Sequence, residues 1–175
     1  MSIFDLSGRV AVITGGNGGI GLGIAQALTA AGCNVSIWGR NADKNKSAAA
    51  TMAGGPGKVG RLVATSSLAS LFGTARNEHY AGTKAALNAL CRALAVELAR
   101  YGVTANAILP GWIKSEMTAG IMANEKFVAN VMPRIPMRRF GEAEDFGGIA
   151  VYLTSKASSY HTAECFVIDG GYSAF

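Results

Sequence analysis

Tyr80-Ala81-Gly82-Thr83-Lys84, with Ser67 thirteen residues before the tyrosine, are the residues of this chain whose types and spacing suit proton chemistry. A phenol stays protonated near neutral pH, its ordinary pKa being about 10. Exchanging that proton with a substrate calls for a fixed positive charge nearby, which favours the phenolate. On a helix, Lys84 falls four residues later on the same face as Tyr80. The Ser67 hydroxyl, arriving from a neighbouring strand, could then hold a carbonyl or alcohol oxygen. These are parts for moving a proton on and off a C–O group. A Tyr-x-x-x-Lys by itself also arises by chance, as an aromatic and a solvated cation on a half-exposed helix.

A second pattern lies near the N-terminus. Arg9-Val10-Ala11-Val12-Ile13 is a short apolar run suited to a buried strand. It leads into Thr14-Gly15-Gly16-Asn17-Gly18-Gly19-Ile20-Gly21, and Leu22-Gly23-Ile24-Ala25-Gln26-Ala27-Leu28 then carries apolar residues at helical spacing. Strand, glycine turn and helix form the context in which a dinucleotide is bound. Glycines let the backbone approach a pyrophosphate, and the free N–H groups of the helix start favour the anion. Gly15, Asn17, Gly18, Gly19, Ile20 and Gly21 are the candidate contacts.

Thr14-Gly15-x-x-x-Gly19-x-Gly21, Ser67, Tyr80-x-x-x-Lys84 and Pro110-Gly111, in this order, resemble the short-chain dehydrogenase/reductases. The similarity runs from Leu6-Ser7-Gly8-Arg9-Val10 to Ile168-Asp169-Gly170-Gly171. The resemblance implies hydride transfer between a nicotinamide and a secondary alcohol or ketone. Tyr80 would be the general acid and base, and Ser67 would orient the substrate oxygen. Lys84 would favour the phenolate and hold the nicotinamide ribose. Pro110-Gly111-Trp112-Ile113-Lys114-Ser115 resembles the family segment after the strand that follows the catalytic helix. There the Ile113 backbone would meet the nicotinamide carboxamide, and Ser115 would stand where a threonine is common. Pro-Gly also accounts for a plain turn.

Cofactor choice rests on Asn34-Val35-Ser36-Ile37-Trp38-Gly39-Arg40-Asn41. Folds that prefer NAD place an acidic residue at the end of the second strand, against the ribose 2′-OH. Gly39 occupies that place here and Arg40 follows it. A guanidinium can bind a 2′-phosphate with a fork of donors, where a carboxylate would repel it. NADP is the expected cofactor, and Asp43 downstream keeps NAD open.

At 175 residues the chain is shorter than the family pattern. After Val59, and before Arg61-Leu62-Val63-Ala64-Thr65, the family's third and fourth strands and their helices have no counterpart, as though deleted. The family's Asp at the adenine ring, its Asn-Asn-Ala-Gly strand end and the asparagine of its catalytic tetrad are absent with them. The remaining pattern predicts strands over 10–14, 35–38, 61–65, 103–108 and 165–168. Helices are predicted over 19–31, 42–53, 78–100 and 142–154, with a variable helical segment over 115–131. The expected fold is a single Rossmann-like α/β domain, a doubly wound parallel sheet. Removing two strands from the family order 3-2-1-4-5-6-7 leaves five in the order 2-1-3-4-5, itself a doubly wound arrangement. Right-handed crossovers would then set helix 42–53 on the face opposite helix 19–31. The alternative is a catalytically impaired nucleotide-binding module, or a fragment of a longer reductase.

Composition narrows the remaining classes. The formal charge of +5 comes from scattered residues, and the one basic cluster, Arg134 with Arg138 and Arg139, is short and lacks interleaved aromatics. No nucleic-acid partner is expected. Half the residues are hydrophobic, yet no run suits a membrane span and the start lacks a signal-peptide pattern. Cys33, Cys91 and Cys165 read as reduced residues of a cytoplasmic protein, and His79 and His161 are too isolated for a metal site. The apolar segment 112–140 resembles the family's substrate lid and reads equally as an amphipathic helix on the core. With Leu68, Ala69, Phe72 and Trp112 it would line an apolar pocket for a small-molecule carbonyl or alcohol substrate, and a medium-sized ketone, a sugar acid or an acyl-thioester carbonyl would each fit. Leu87, Leu90, Leu94, Val96 and Leu98 give helix 78–100 more apolar surface than one face needs, which suggests a homo-oligomer.

Overall fold

The computed structural model of the chain describes residues 2–49, 60–73 and 75–174. Its elements run as strand β1 (Val10–Thr14), helix α1 (Gly19–Ala30), strand β2 (Asn34–Trp38), helix α2 (Ala42–Ala49) and strand β3 (Arg61–Thr65). Helix α3 (Glu78–Leu98), strand β4 (Thr104–Pro110), short helices α4 (Ala119–Met122) and α5 (Glu125–Val131), helix α6 (Gly147–Thr154) and strand β5 (Cys165–Ile168) follow. The predicted strands 10–14, 61–65 and 165–168 are reproduced, and strand 35–38 gains one residue. The predicted helix end at 50–53, the Gly54-Gly55-Pro56-Gly57 turn and the apparent joint at Val59 lie outside the described residues. Helix 142–154 begins as a 3-10 turn over Ala143–Phe146, where the Glu142 and Asp145 side chains cap each other's backbone amides.

The chain divides into two compact units. The first takes the described part of 1–59 together with 114–120 and 142–159. In it β1 and β2 pair in parallel, from Val10 opposite Asn34 to Thr14 opposite Trp38. Helix α1 packs against both strands and against α6. Its buried residues, Ile24, Ala25 and Leu28, recur at helical spacing. At the α1–α6 contact a Cβ on Gly147 would stand 2.8 Å from Ala27 Cβ. Gly32, at φ +90°, closes the helix.

The second unit holds 60–113, 121–141 and the described residues from 160 onward. Its sheet has the order β3-β4-β5, all parallel. The central strand β4, Thr-Ala-Asn-Ala-Ile-Leu-Pro, is buried along its whole length, as a strand flanked on both edges and covered on both faces must be. Asn106 tolerates this burial because its amide donates to the His161 carbonyl at 3.2 Å and accepts from the Glu164 amide at 3.1 Å. Helix α3 lies against β3 and β4.

Two expectations need correction. The five strands form two sheets, β1-β2 and β3-β4-β5, and no ladder among the described residues joins 10–14 to 61–65. The ladders present join strands that are neighbours in the family order given above. Strands 10–14 and 61–65 are not neighbours in that order, which therefore shapes neither edge for the other. Nor is 10–14 wholly buried: its burial alternates, and Val12 is 58% and Trp38 62% exposed. Alternate residues face opposite sides of a strand, and α1 packs where Val10, Val12 and Trp38 do not point.

Asp169 ends the second unit's sheet. Burial opposes its charge, but hydrogen bonds from the Ser173 side chain and from the amides of Ser173 at 2.7 Å and Gly171 at 2.9 Å outweigh it and leave its pKa lowered. A carboxyl depressed on folding contributes stability above its unfolded pKa, near 4, and loses it as pH falls through the folded value. Asp169→Asn is expected to cost roughly 1 kcal/mol at neutral pH after allowance for solvent screening. It should also show a shallower further loss below about pH 4, read by denaturant melts across the pH series.

Candidate functional site

The glycine turn of the first unit is packed against itself on one side and open on the other. Gly15 sits at φ +70° and its amide donates to the Trp38 carbonyl at 2.6 Å, tying the turn to the end of β2. A Cβ on Gly21 would strike the Gly15 carbonyl oxygen, with the Gly15 carbon 2.8 Å away and Gly16 Cα at 3.2 Å. A Cβ on Gly15 or Gly18 would meet nothing within 4 Å. Gly18 is the extended N-cap of α1 and offers no side-chain cap, so the first amides of the helix keep their capacity for an anion. Gly19, at φ +50°, faces Ser115, whose Cβ would be 3.6 Å from a side chain there. Ser115 is itself held in a turn, its hydroxyl 3.1 Å from that of Thr118. A turn closed behind, open in front and leading into an uncapped helix start fits a pyrophosphate.

At the end of β2 the sequence-predicted Asn17 meets a residue that the sequence reading missed. Asn17 Nδ2 donates to Asn45 Oδ1 at 2.6 Å, and Asn45 Nδ2 donates to the Gly39 carbonyl at 2.8 Å. The two amides fill the space beside Gly39: a Cβ there would collide with Asn17 Nδ2 and lie 2.6 Å from Asn45 Oδ1. Arg40 next to it is exposed, and its guanidinium makes no hydrogen bond or ion pair among the described residues. Lys44, on the same helix as Asn45, is paired with Glu116 at 2.6 Å.

The second unit gathers Ser67, Tyr80 and Lys84. Tyr80, Lys84, Asn88, Cys91 and Ala95 fall at four- and three-residue steps along α3, and the last three are buried. The half-buried Tyr80 and Lys84 therefore continue the stripe that packs α3 on the sheet. Lys84 Nζ lies 5.6 Å from the centre of the Tyr80 ring and donates to the Thr65 carbonyl at 2.9 Å. Burial lowers the Lys84 pKa from the ordinary lysine range. β3 runs through Thr65 into Ser66, whose hydroxyl donates to the Lys84 carbonyl at 2.9 Å. Ser67 then caps a 3-10 turn over Leu68–Ser70, its Oγ accepting from the Ala69 amide at 3.2 Å. That bond leaves the hydroxyl proton of Ser67 free to donate.

Pro110, Gly111 and Ile113 belong to the same unit. Gly111 donates to the Ile168 carbonyl at 3.0 Å, and a Cβ there would sit 2.7 Å from Asp169 Cβ, so the two chain segments approach as closely as glycine allows. Ile113 is buried and bridged to Gly141. Beyond it Val131, Ile135 and Phe140 form a buried cluster with Trp112, Phe127 and Tyr172 around them. Trp112 meets Phe127 edge-on at 4.8 Å. This part of the 112–140 segment is thus core, while Met117 and Met137 stay exposed. Leu68 is buried, Ala69 half-buried and Phe72 exposed. His79 is exposed, and no group of His, Cys, Asp or Glu among the described residues could hold a metal ion. No helix among them is long and apolar enough to cross a membrane.

Parallel strands alternating with helices, with a glycine turn between the first strand and first helix, define a Rossmann-like α/β protein. Family comparison makes the assignment particular. The enoyl-(acyl carrier protein) reductase pattern matches residues 46–173 and the short chain dehydrogenase pattern residues 9–59. The chain belongs to the short-chain dehydrogenase/reductase family. It is 37% identical to 5-keto-D-gluconate 5-reductase of Escherichia coli (strain K12) over 114 residues, 65% of this chain and 45% of that protein. The chain thus spans about half the length of such curated relatives. Against the uncharacterized oxidoreductase YgcW of the same organism it is 26% identical over 248 residues, covering 98% of this chain and 95% of the other. That alignment is longer than the 175-residue chain, so it opens a gap on this side, as an internal deletion requires. An Agrobacterium tumefaciens protein assigned as a 2-deoxy-d-gluconate 3-dehydrogenase, solved with bound NADP, superposes with a TM-score of 0.92 at 26% identity, covering 100% of each chain.

Proposed function

We propose that the chain is an NADP(H)-dependent oxidoreductase acting on a secondary alcohol or ketone, the 175 residues serving as one nucleotide-binding domain. The observation that carries this reading is the Lys84 ammonium 5.6 Å from the Tyr80 ring centre, fixed there by the Thr65 carbonyl that leads into Ser67. The uncapped amides of the α1 start bind the pyrophosphate, the Gly15–Gly21 turn letting it approach the backbone, and Arg40 binds the 2′-phosphate. Pro110, Gly111, Ile113 and Ser115 complete the nicotinamide contacts. When bound, the nicotinamide supplies or takes the hydride. Tyr80 Oη gives a proton to the substrate oxygen in reduction and takes it back in oxidation. Ser67 Oγ donates a hydrogen bond to that same oxygen, and Lys84 supplies the positive charge beside the phenol. The relative named for 5-keto-D-gluconate and the structural neighbour assigned to a deoxygluconate support a hydroxylated sugar acid as the substrate class. Cytoplasmic residence and self-association through the exposed side of α3, where Val96 is 82% exposed, complete the reading.

The test is NADPH oxidation by the purified chain with 5-keto-D-gluconate and related keto acids, with NADH in parallel. Turnover favouring NADPH supports the reading. Saturable NADPH binding without turnover would leave a nucleotide-binding module, and no binding would overturn both.

Cofactor preference yields a separate expectation. Gly39→Asp should lower NADPH affinity by at least about tenfold, since it breaks the Asn17–Asn45 contact and repels the 2′-phosphate. NADH should not gain until Asn45→Ala makes room for the new carboxylate. Parallel fluorescence titrations with the two nucleotides read both effects.

A further inference from the structure

The Ser67 turn is joined to α3 through a residue with no role so far. Asn88 lies one helical turn beyond Lys84 and two beyond Tyr80, and it is 3% exposed. Its Nδ2 donates to Ser70 Oγ at 2.8 Å, and Ser70 Oγ donates to the Ser67 carbonyl at 2.6 Å. Ser70 has one hydroxyl proton and gives it to Ser67, so the Asn88 atom facing Ser70 must be the amide nitrogen. Asn88 Oδ1 is then left buried with no hydrogen-bond partner among the described residues. A leucine on this core stripe would keep the same branching and number of side-chain heavy atoms without burying an unmet acceptor. The amide is a poor choice for stability and a good one for geometry. The Ser66–Lys84 and Lys84–Thr65 bonds fix the start of the Thr65–Ser70 segment on the helix, and Asn88 fixes its far end. Ser67 lies between these two anchors.

We propose that Asn88 is a positioning residue which, through Ser70, sets the Ser67 hydroxyl relative to Tyr80 and Lys84. The inference rests on the reductase reading above, and its test separates the two. In the full chain, with NADPH and 5-keto-D-gluconate as probes, Asn88→Leu and Ser70→Ala should each lower kcat about 10- to 100-fold, with NADPH affinity unchanged. The double variant should fall no further than the worse single one, since both cut the same chain of bonds. Amide hydrogen exchange at Ala69, Ser70 and Leu71 should rise about tenfold or more in each variant while β4 keeps its protection. That exchange is readable whether or not the wild type turns over. A folded wild type without turnover would sink the reductase reading, and the exchange result alone would then decide the role of Asn88. In an active enzyme, kcat of Asn88→Leu within about twofold of wild type, or fully additive losses in the double variant, would overturn the proposal. In an inactive one, unchanged exchange would do so. Should Asn88→Leu fail to fold, Ser70→Ala carries the same test.

Discussion

Tyr80→Phe is expected to lower kcat by roughly 10²- to 10⁴-fold, the loss typical of a removed general acid or base, with NADPH affinity and thermal stability nearly unchanged. The substitution deletes one hydroxyl from a half-buried side chain. Among the described residues that hydroxyl makes no hydrogen bond, so nothing in the fold is left unpaired by its loss. The ring remains, and with it the contact to the Lys84 ammonium at 5.6 Å. A structural tyrosine would show the reverse pattern, with stability falling and turnover per folded molecule preserved. Steady-state kinetics and a melting curve on the same preparation distinguish the two.

Gly21→Ala is the second large effect, and it acts on binding. The added methyl would run into the Gly15 carbonyl oxygen and lie 2.8 Å from the Gly15 carbon, both backbone atoms that cannot swing aside. Relief requires opening the turn whose Gly15 amide is anchored to the Trp38 carbonyl at 2.6 Å. NADPH affinity is therefore expected to fall by about 100-fold or more, equivalent to roughly 2.7 kcal/mol of binding energy. Gly148→Ala makes the control. It lies in α6, outside the glycine turn, and its Cβ would meet nothing within 4 Å, so fold and affinity should both be unaffected. Fluorescence titration of the two variants, with circular dichroism to confirm folding, measures the contrast.

Much of this architecture was legible in the chain because local signals agreed. Val10–Thr14 is bounded by the glycine turn, and Arg61–Thr65 runs straight into Ser66 and Ser67, so their limits follow from residue type. The four-residue step from Tyr80 to Lys84 placed both on one helical face, and the structure shows that this face is the packed one. Pairing between strands was less legible. Val10 and Val12 are apolar enough for a covered strand, but period-two alternation does not say which face a helix will cover. The β1–β3 ladder was expected from strand order alone, and strand order carries no information on whether two edges match. Asn88 and Asn45 were missed for a related reason. Each is an ordinary polar residue at helical spacing, and its role arises only from what lies opposite it, Ser70 in one case and Asn17 with Gly39 in the other.

An NADP(H) site in a chain of this length underlies the expectations on binding and turnover above. It is tested most directly by NADPH fluorescence titration of the purified protein at its intact mass of 18.0 kDa. Saturable binding is expected, tighter than that of NADH and weakened by Arg40→Ala. A folded chain that binds neither nucleotide would contradict it.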